Sequence, residues 1–171
     1  MNRALFLLFV TISSSGAALR ATGGRYDMKT INMYSHNHQK GYWEYHLEWC
    51  PKYRKPIFAE QALKKDCEQI LKEAAAAKGA MLAELAVMPD HIHTIAITDK
   101  PMPLSELEFY LKGRSSYELM KKHPELRKQY WGGNLWSRST FSRTVGLDGE
   151  KARNYVRNQH DIHQRKILDY N

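Results

Sequence analysis

The pattern of apolar and polar positions first predicts four β-strands. Residues 41–50 alternate in part between polar and apolar side chains and are rich in aromatic rings, which is typical of a strand. Residues 81–88 and 91–97 are two further short apolar runs, separated by a tight turn at Pro89-Asp90. Residues 134–145 predict a fourth, interrupted strand that follows a pair of glycines.

Apolar positions spaced three and four residues apart predict two long helices between these strands. The first begins near Ala59 and ends at Gly79, because glycine commonly ends a helix. The second opens at Ser105, with Glu108 three residues later as in a capping box, and ends near His123-Pro124. Each of these helices therefore connects two strands.

A third helix follows the last strand. It starts at Asp148, a residue type that caps helix N-termini well, and extends to about Leu168. The element order is then β-α-β-β-α-β-α. This order predicts an α+β, ferredoxin-like fold, in which the β-α-β-β-α-β part forms an antiparallel sheet with two helices on one face. The additional C-terminal helix carries Tyr155.

The first 27 residues differ from the remainder of the chain. A basic residue, an apolar run and several small residues follow one another there, as in a secretory signal peptide. Two interpretations are open: the chain is exported, or translation begins at Met28 and the preceding codons belong to an over-long gene. We favour the second, because the remainder of the chain has the features of an intracellular protein. Residues 1–27 are thus predicted to lie outside the fold, and residues 28–171 to form one cytoplasmic domain without membrane association.

Positive charge is concentrated on the second helix and the strand that follows it. The chain has a formal net charge of +8, and residues 111–143 hold eight basic side chains against two acidic ones. Aromatic residues lie among them, and single-stranded nucleic acid is bound by cations on its phosphates and by rings stacked on its bases. A solvated basic helix face without a ligand is the alternative. The candidate DNA-binding residues are Lys112, Arg114, Lys121, Arg138 and Arg143.

Two histidines lie on one face of the predicted strand 91–97. His91 and His93 are two residues apart, which separates their Cα atoms by roughly 6.5–7 Å in a strand. Both imidazoles can therefore reach one metal ion. Two half-buried polar residues at a strand edge are the alternative that so short a motif leaves open.

The last helix places Tyr155 and Gln159 one turn apart on the same face. A tyrosine hydroxyl, with an ordinary pKa near 10, becomes a useful nucleophile when a metal ion polarises the phosphate that it attacks. Gln159 can add a carbonyl oxygen to the two imidazoles. Such a mixed set of ligands suits Mg²⁺ or Mn²⁺, although Zn²⁺ would bind as well. A core tyrosine beside a surface glutamine is the alternative.

Five motifs in order resemble the HUH-type, single-tyrosine transposases of IS200-like insertion sequences, from about Gly41 onwards. Val87-Met88-Pro89-Asp90-His91-Ile92-His93 is similar to their HUH motif, and Tyr155 with Gln159 is similar to their catalytic helix. The other similar segments are Tyr45-His46-Leu47 with Lys52-Tyr53-Arg54, Leu111 to Ser116, and Leu135-Trp136 to Gly146.

This resemblance implies a DNA transposase that cuts and rejoins single-stranded DNA. Tyr155 would attack a phosphate to give a 5′-phosphotyrosine and a free 3′-hydroxyl, while His91, His93 and Gln159 would hold the divalent ion. Members of the family are homodimers in which the tyrosine of one subunit acts with the histidines of the other. They bind DNA hairpins near the ends of the mobile element.

Two features depart from the family pattern: Ser139 stands where glycine is usual, and residues 1–27 have no counterpart. Other functions also stay open at this point. They are a domesticated relative acting on genomic repeat hairpins, a metal-dependent hydrolase without a covalent intermediate, and a non-catalytic nucleic-acid-binding module. The last would need aromatic residues on the central strand, where this chain has His91 and His93.

Overall fold

The computed structural model describes residues 34–36, 39–98, 100–130, 132–146 and 149–159. The predicted leader, the predicted cap Asp148 and the predicted helix beyond Gln159 lie outside the described residues. Within the described part of the chain, no helix is both long and apolar enough to cross a membrane.

Four antiparallel strands form the main sheet. A separate antiparallel pair, β1 (Tyr34–His36) and β2 (Gln39–Gly41), precedes it in the chain. The main sheet contains β3 (Trp43–Pro51), β4 (Ala80–Val87), β5 (Ile92–Thr98) and β6 (Trp136–Thr144), in the spatial order β4-β5-β3-β6. The predicted ferredoxin-like arrangement is therefore confirmed.

The helices are α1 (Gln61–Ala77), α2 (Leu104–Lys122), the short α3 (Glu125–Gln129) and α4 (Gly149–Arg157). The first two pack together on one face of the sheet and enclose the larger hydrophobic core. In β3, Tyr45, Leu47 and Trp49 belong to this core. Because side chains alternate along a strand, the intervening residues of β3 point to the opposite face of the sheet.

A second, smaller hydrophobic cluster lies on that opposite face. Ala152 and Val156 of α4 pack there against Ala86, Met88 and Ile95. The helix that carries Tyr155 is thus docked on β4 and β5 by few apolar contacts.

The predicted capping box of the second helix is wrong. α2 begins one residue earlier, at Leu104, after Pro103, and no side chain caps it. The carbonyl of Pro103 accepts the backbone N–H groups of Glu106 and Leu107, so Ser105 already lies inside the first turn. Glu108 bonds instead to β6 and to the next turn of its own helix.

Candidate active site

Three histidines come together on the face of the sheet that α4 partly covers. His46 belongs to β3, His93 to β5, and His91 directly precedes β5. The His46 Nε2 and His93 Nδ1 atoms are 3.4 Å apart, and the ring centroids of His91 and His93 are 5.0 Å apart. His46 and His93 are each 3% exposed, so this cluster is set into the protein and not on a solvated rim.

Asp90 fixes the orientation of the His91 ring. Its Oδ1 atom lies 2.6 Å from His91 Nδ1, and its Oδ2 atom accepts a bond of 2.9 Å from Arg54 Nε. Burial raises the pKa of Asp90, but the hydrogen bonds from His91 and Arg54 outweigh burial and lower it. With Nδ1 engaged by a carboxylate, the His91 Nε2 atom is left as the available ligand.

The turn that supplies Arg54 has an unusual backbone. Tyr53 and Arg54 have φ angles of 65° and 54°, in the left-handed region that side chains other than glycine rarely adopt. Such backbone strain persists where surrounding contacts hold it, and functional sites are where it clusters. Here the ion pair with Asp90 is one of those contacts.

His93 is held in a similar way from β3. Its Nδ1 atom faces His46 Nε2 and lies 3.6 Å from Glu48 Oε2, a carboxylate that favours the proton on Nδ1. Burial, together with the nearby positive charges of His91, His46 and Arg54, lowers the pKa of His93 to about 3. A neutral ring with its proton on Nδ1 presents the lone pair of Nε2, which is the form that binds metal ions.

Tyr155 stands edge-on to this cluster. Its ring centroid is 5.9 Å from that of His93 and 6.1 Å from that of His46. The side chain is 47% exposed, so the tyrosine borders both the histidines and solvent. The structure therefore brings together three of the residues predicted from sequence, His91, His93 and Tyr155.

Gln159 follows α4 and is buried. Its amide nitrogen lies 3.4 Å from the backbone carbonyl of Tyr155, which leaves the amide oxygen available. Among the described residues, no three His, Cys, Asp or Glu side chains are arranged to hold a metal ion. By the chemistry of their donor atoms, two imidazoles and one amide oxygen suit a divalent ion, and a set of three protein ligands would leave a position open for substrate, as in catalytic metal sites.

His46 is a member of the cluster that sequence reasoning did not select. Its Nδ1 atom is buried without a hydrogen-bond partner among the described residues, and burial together with the charge of Arg143 lowers its pKa. The alternation of residues 41–50 places His46 on the same face as Glu44 and Glu48. That grouping of polar residues on one strand face was the available signal.

The tyrosine lies beside histidines of its own chain. The prediction of a site shared between two subunits stays a prediction. It would require α4 to leave its own sheet and repeat the same contacts on the sheet of a partner, as domain swapping does.

The five candidate DNA-binding residues fall into three places. Lys112 and Arg138 line a cavity beside α2, Arg114 and Lys121 line a groove between α1 and α2, and Arg143 lies on β6 opposite His46. Their environments differ as well.

Lys112 is the most constrained of the five. Its Nζ atom donates to Thr140 Oγ1 at 2.9 Å and lies 3.3 Å from both the Arg138 carbonyl and Glu108 Oε1. It therefore ties α2 to β6. Arg114, by contrast, forms an exposed pair with Glu118 at 2.8 Å.

The cavity beside α2 has about 1040 Å³ and an aromatic wall. Phe109 and Tyr117 of α2 are 82% and 57% exposed, and Gly113 lies between them on the same helix face. Lys52 and Arg127 also line the cavity. Tyr117 is one of the aromatic residues of the basic segment 111–143, but Phe109 lies before that segment and was missed, although the spacing of the two rings along one helix face was a usable signal.

This fold, with a histidine cluster and a tyrosine helix on one sheet face, falls in the class of the DNA transposases by comparison with known proteins. Residues 39–159 match the family described as "Transposase IS200 like". The chain therefore belongs to the IS200-like transposase family.

Individual relatives agree with this assignment. The chain is 33% identical to the ISDra2 transposase TnpA of Deinococcus radiodurans over 119 residues, which cover 69% of this chain and 84% of the relative. It is 29% identical over 116 residues to the transposase for insertion sequence element IS200 of Salmonella typhimurium, covering 68% and 76% of the two chains.

Solved structures are similar as well. A crystal structure described as a transposase of Deinococcus radiodurans superposes with a TM-score of 0.61 and 30% identity, covering 74% of this chain and 98% of that one. A REP-associated tyrosine transposase bound to a REP hairpin gives a TM-score of 0.54 at 11% identity, covering 71% and 68%. The second likeness concerns the fold alone.

Proposed function

We propose that this transposase cuts and rejoins single-stranded DNA through a covalent bond between DNA and Tyr155. The observation that carries the proposal is the position of the tyrosine ring, 5.9 Å from the His93 ring and half exposed to solvent. A nucleophile needs an approach for its substrate, which the exposed part of the side chain provides, and a group that stabilises charge, which a divalent ion on the neighbouring histidines would supply.

In the proposed reaction, the Tyr155 oxygen forms a bond to the scissile phosphorus as the bond from phosphorus to the 3′-oxygen breaks. The phenolic proton leaves the tyrosine, and the departing 3′-oxygen becomes a hydroxyl. The products are a 5′-phosphotyrosine and a free 3′-hydroxyl. The reverse attack by a 3′-hydroxyl restores a DNA backbone and releases the tyrosine, so rejoining needs no nucleotide cofactor.

The proposed cofactor is Mg²⁺ or Mn²⁺, held by His91, His93 and Gln159. Such an ion, when bound, orients the phosphate and stabilises the negative charge that develops on it. The protein contributes ring orientation: Asp90 engages Nδ1 of His91, and Glu48 lies beside Nδ1 of His93. Carboxylates in this position fix the tautomer of a ligating histidine.

The proposed DNA partner is a hairpin at the end of the mobile element, with Arg114, Lys121, Arg138 and Arg143 among the phosphate contacts. The REP-associated tyrosine transposase, which shares the fold, is bound to a REP hairpin in its solved structure. In this chain, the cavity beside α2 combines exposed rings with cations, a combination that suits unpaired bases next to a phosphate backbone. A domesticated relative acting on repeat hairpins would use the same chemistry.

We further propose a homodimer joined along β6. This strand has nine residues, pairs with β3 on one side only among the described strands, and exposes most of its side chains. An edge strand of this length is a ready site for pairing with a second chain. Ser139 lies in it, so this departure from the family pattern falls on the proposed interface.

A denaturing gel with labelled single-stranded DNA from the element end tests the function. Wild-type protein with Mg²⁺ or Mn²⁺ should yield a protein–DNA adduct, and Tyr155→Phe should yield none while still binding the hairpin. Tyr42→Phe, at a partly exposed tyrosine directly before β3, is the control and should retain the adduct. Cleavage without an adduct would support the hydrolase instead, and binding without cleavage would support the binding module.

A further inference from the structure

The way α4 is docked points to residues that set the position of Tyr155. Ala152 and Val156 face the sheet and pack on a small apolar cluster. At 3.6 residues per turn, Arg153 and Arg157 lie on one flank of this apolar stripe, and Tyr155 lies on the other. Apolar contact has no preferred direction, so this cluster alone would allow the helix to roll about its axis.

Two ion pairs on the arginine flank oppose such a roll. Arg153 Nη1 bonds to Glu44 Oε1 at 2.6 Å, and the side chains of the two residues are 13% and 3% exposed. Arg157 bonds to Glu84, whose side chain is 19% exposed. Glu44 belongs to β3 and Glu84 to β4, so the helix is tied to two separate strands of the sheet.

Geometry relates these pairs to the nucleophile. Side-chain tips lie about 5–6 Å from a helix axis, so a roll of about 10° displaces them by about 1 Å. A misplacement of about 1 Å at a reacting group can slow a reaction by about 100-fold. We propose that Glu44 and Glu84, through Arg153 and Arg157, are positioning residues that fix the rotation of α4 and thereby hold Tyr155 beside His46 and His93.

This inference rests on the proposed role of Tyr155 as the nucleophile, and one set of variants tests it. The partly exposed pair is the main target, because Arg157→Gln and Glu84→Gln leave no buried charge unpaired. Each should slow adduct formation in a single turnover at saturating DNA by about 10-fold to 100-fold. The dissociation constant of the hairpin should change by less than about 2-fold, because neither residue is placed at the DNA-binding cavity.

The reversed pair, E84R together with R157E, should regain most of the lost rate. Glu44→Gln tests the buried pair and should slow the reaction in the same direction. Glu106→Gln is the matched control: it removes an ion pair with Lys78 between α1 and α2, away from the tyrosine, and should leave the rate unchanged.

Amide hydrogen exchange gives a second readout that does not depend on cleavage. Arg157→Gln and Glu84→Gln should speed exchange in residues 149–159 while exchange in α1 and α2 stays as in the wild type. Unchanged adduct rates and unchanged exchange in the two single variants would overturn the positioning role, with the wild-type adduct still supporting the function. If the wild type forms no adduct but exchange responds as expected, the proposed chemistry fails and the docking of α4 by these pairs stands.

Discussion

Acid should destabilise this protein through His93. Burial and neighbouring positive charge lower the pKa of His93 to about 3 in the folded protein, whereas an unfolded chain has a histidine pKa near 6.5. Between these values the unfolded state binds a proton that the folded state does not. Stability therefore rises with pH in this window, and it is lost as the pH falls from about 6.5 towards 3.

The magnitude follows from linkage. Within the window the slope is at most about 1.4 kcal/mol per pH unit, so His93 should account for a loss of about 2 kcal/mol between pH 8 and pH 5. For a chain of this size, such a loss lowers the melting temperature by roughly 4–8 °C. The side chain is 4% exposed, so solvent screens this effect little.

Urea unfolding in excess EDTA at pH 8 and pH 5 measures this effect. The comparison is between wild type and His93→Phe, which fills similar space without a titrating group. Each variant is compared with itself across pH, so any constant effect of the substitution cancels. The wild type should lose about 2 kcal/mol more than His93→Phe. Equal losses in the two proteins would show that His93 takes up its proton in the folded state and would refute the reasoning.

Three further outcomes are expected. Asp90→Asn should raise the Mn²⁺ concentration for half-maximal adduct formation by about 10-fold to 100-fold, because it weakens the hydrogen bond to Nδ1 of His91, a proposed metal ligand. An unchanged Mn²⁺ titration would argue against the metal site. Phe109→Ala and Tyr117→Ala should each weaken hairpin binding by about 1–3 kcal/mol in anisotropy titrations if bases stack there. A mixture of Tyr155→Phe and His91→Ala chains should regain cleavage if subunits share the site, whereas inactivity after subunit exchange, verified by mass, would assign both groups to one chain.

Much of the fold could be predicted because apolar residues recur at a clear spacing along its long strands and helices. The alternation in residues 41–50 and the helical spacing behind α1 and α2 locate these elements to within about two residues, the usual uncertainty at element ends. The short elements β1, β2 and α3 were not predicted, since three to five residues carry too little pattern. The predicted helix start at Ser105 was wrong. The carbonyl of Pro103 accepts the first backbone N–H groups of α2, and no side chain caps the helix.

Only those residues of the candidate site that lie close together in the sequence could be predicted to lie close together in space. His91 and His93 are two residues apart at the start of β5, so their spacing alone places them together. His46 reaches them only because β3 lies beside β5, and that pairing depends on the whole sheet. The hydrogen bond that ties Lys112 to β6 could not be predicted for the same reason, because its partner Thr140 lies on a different element, 28 residues away.

The alternation of side chains along β3 limits which mutations of its codons the fold can tolerate. Its odd-numbered residues from Tyr45 to Trp49 fill the core, and its even-numbered residues from Glu44 to Glu48 lie on the face of the candidate active site. A substitution affects one of these two sets, but the insertion or deletion of a single codon would exchange them, sending charge inward and leucine outward. Related copies of this transposase should therefore vary in length at the loops. The nine-residue strand β3 should instead keep its alternation of inward-facing and outward-facing side chains, without insertions or deletions.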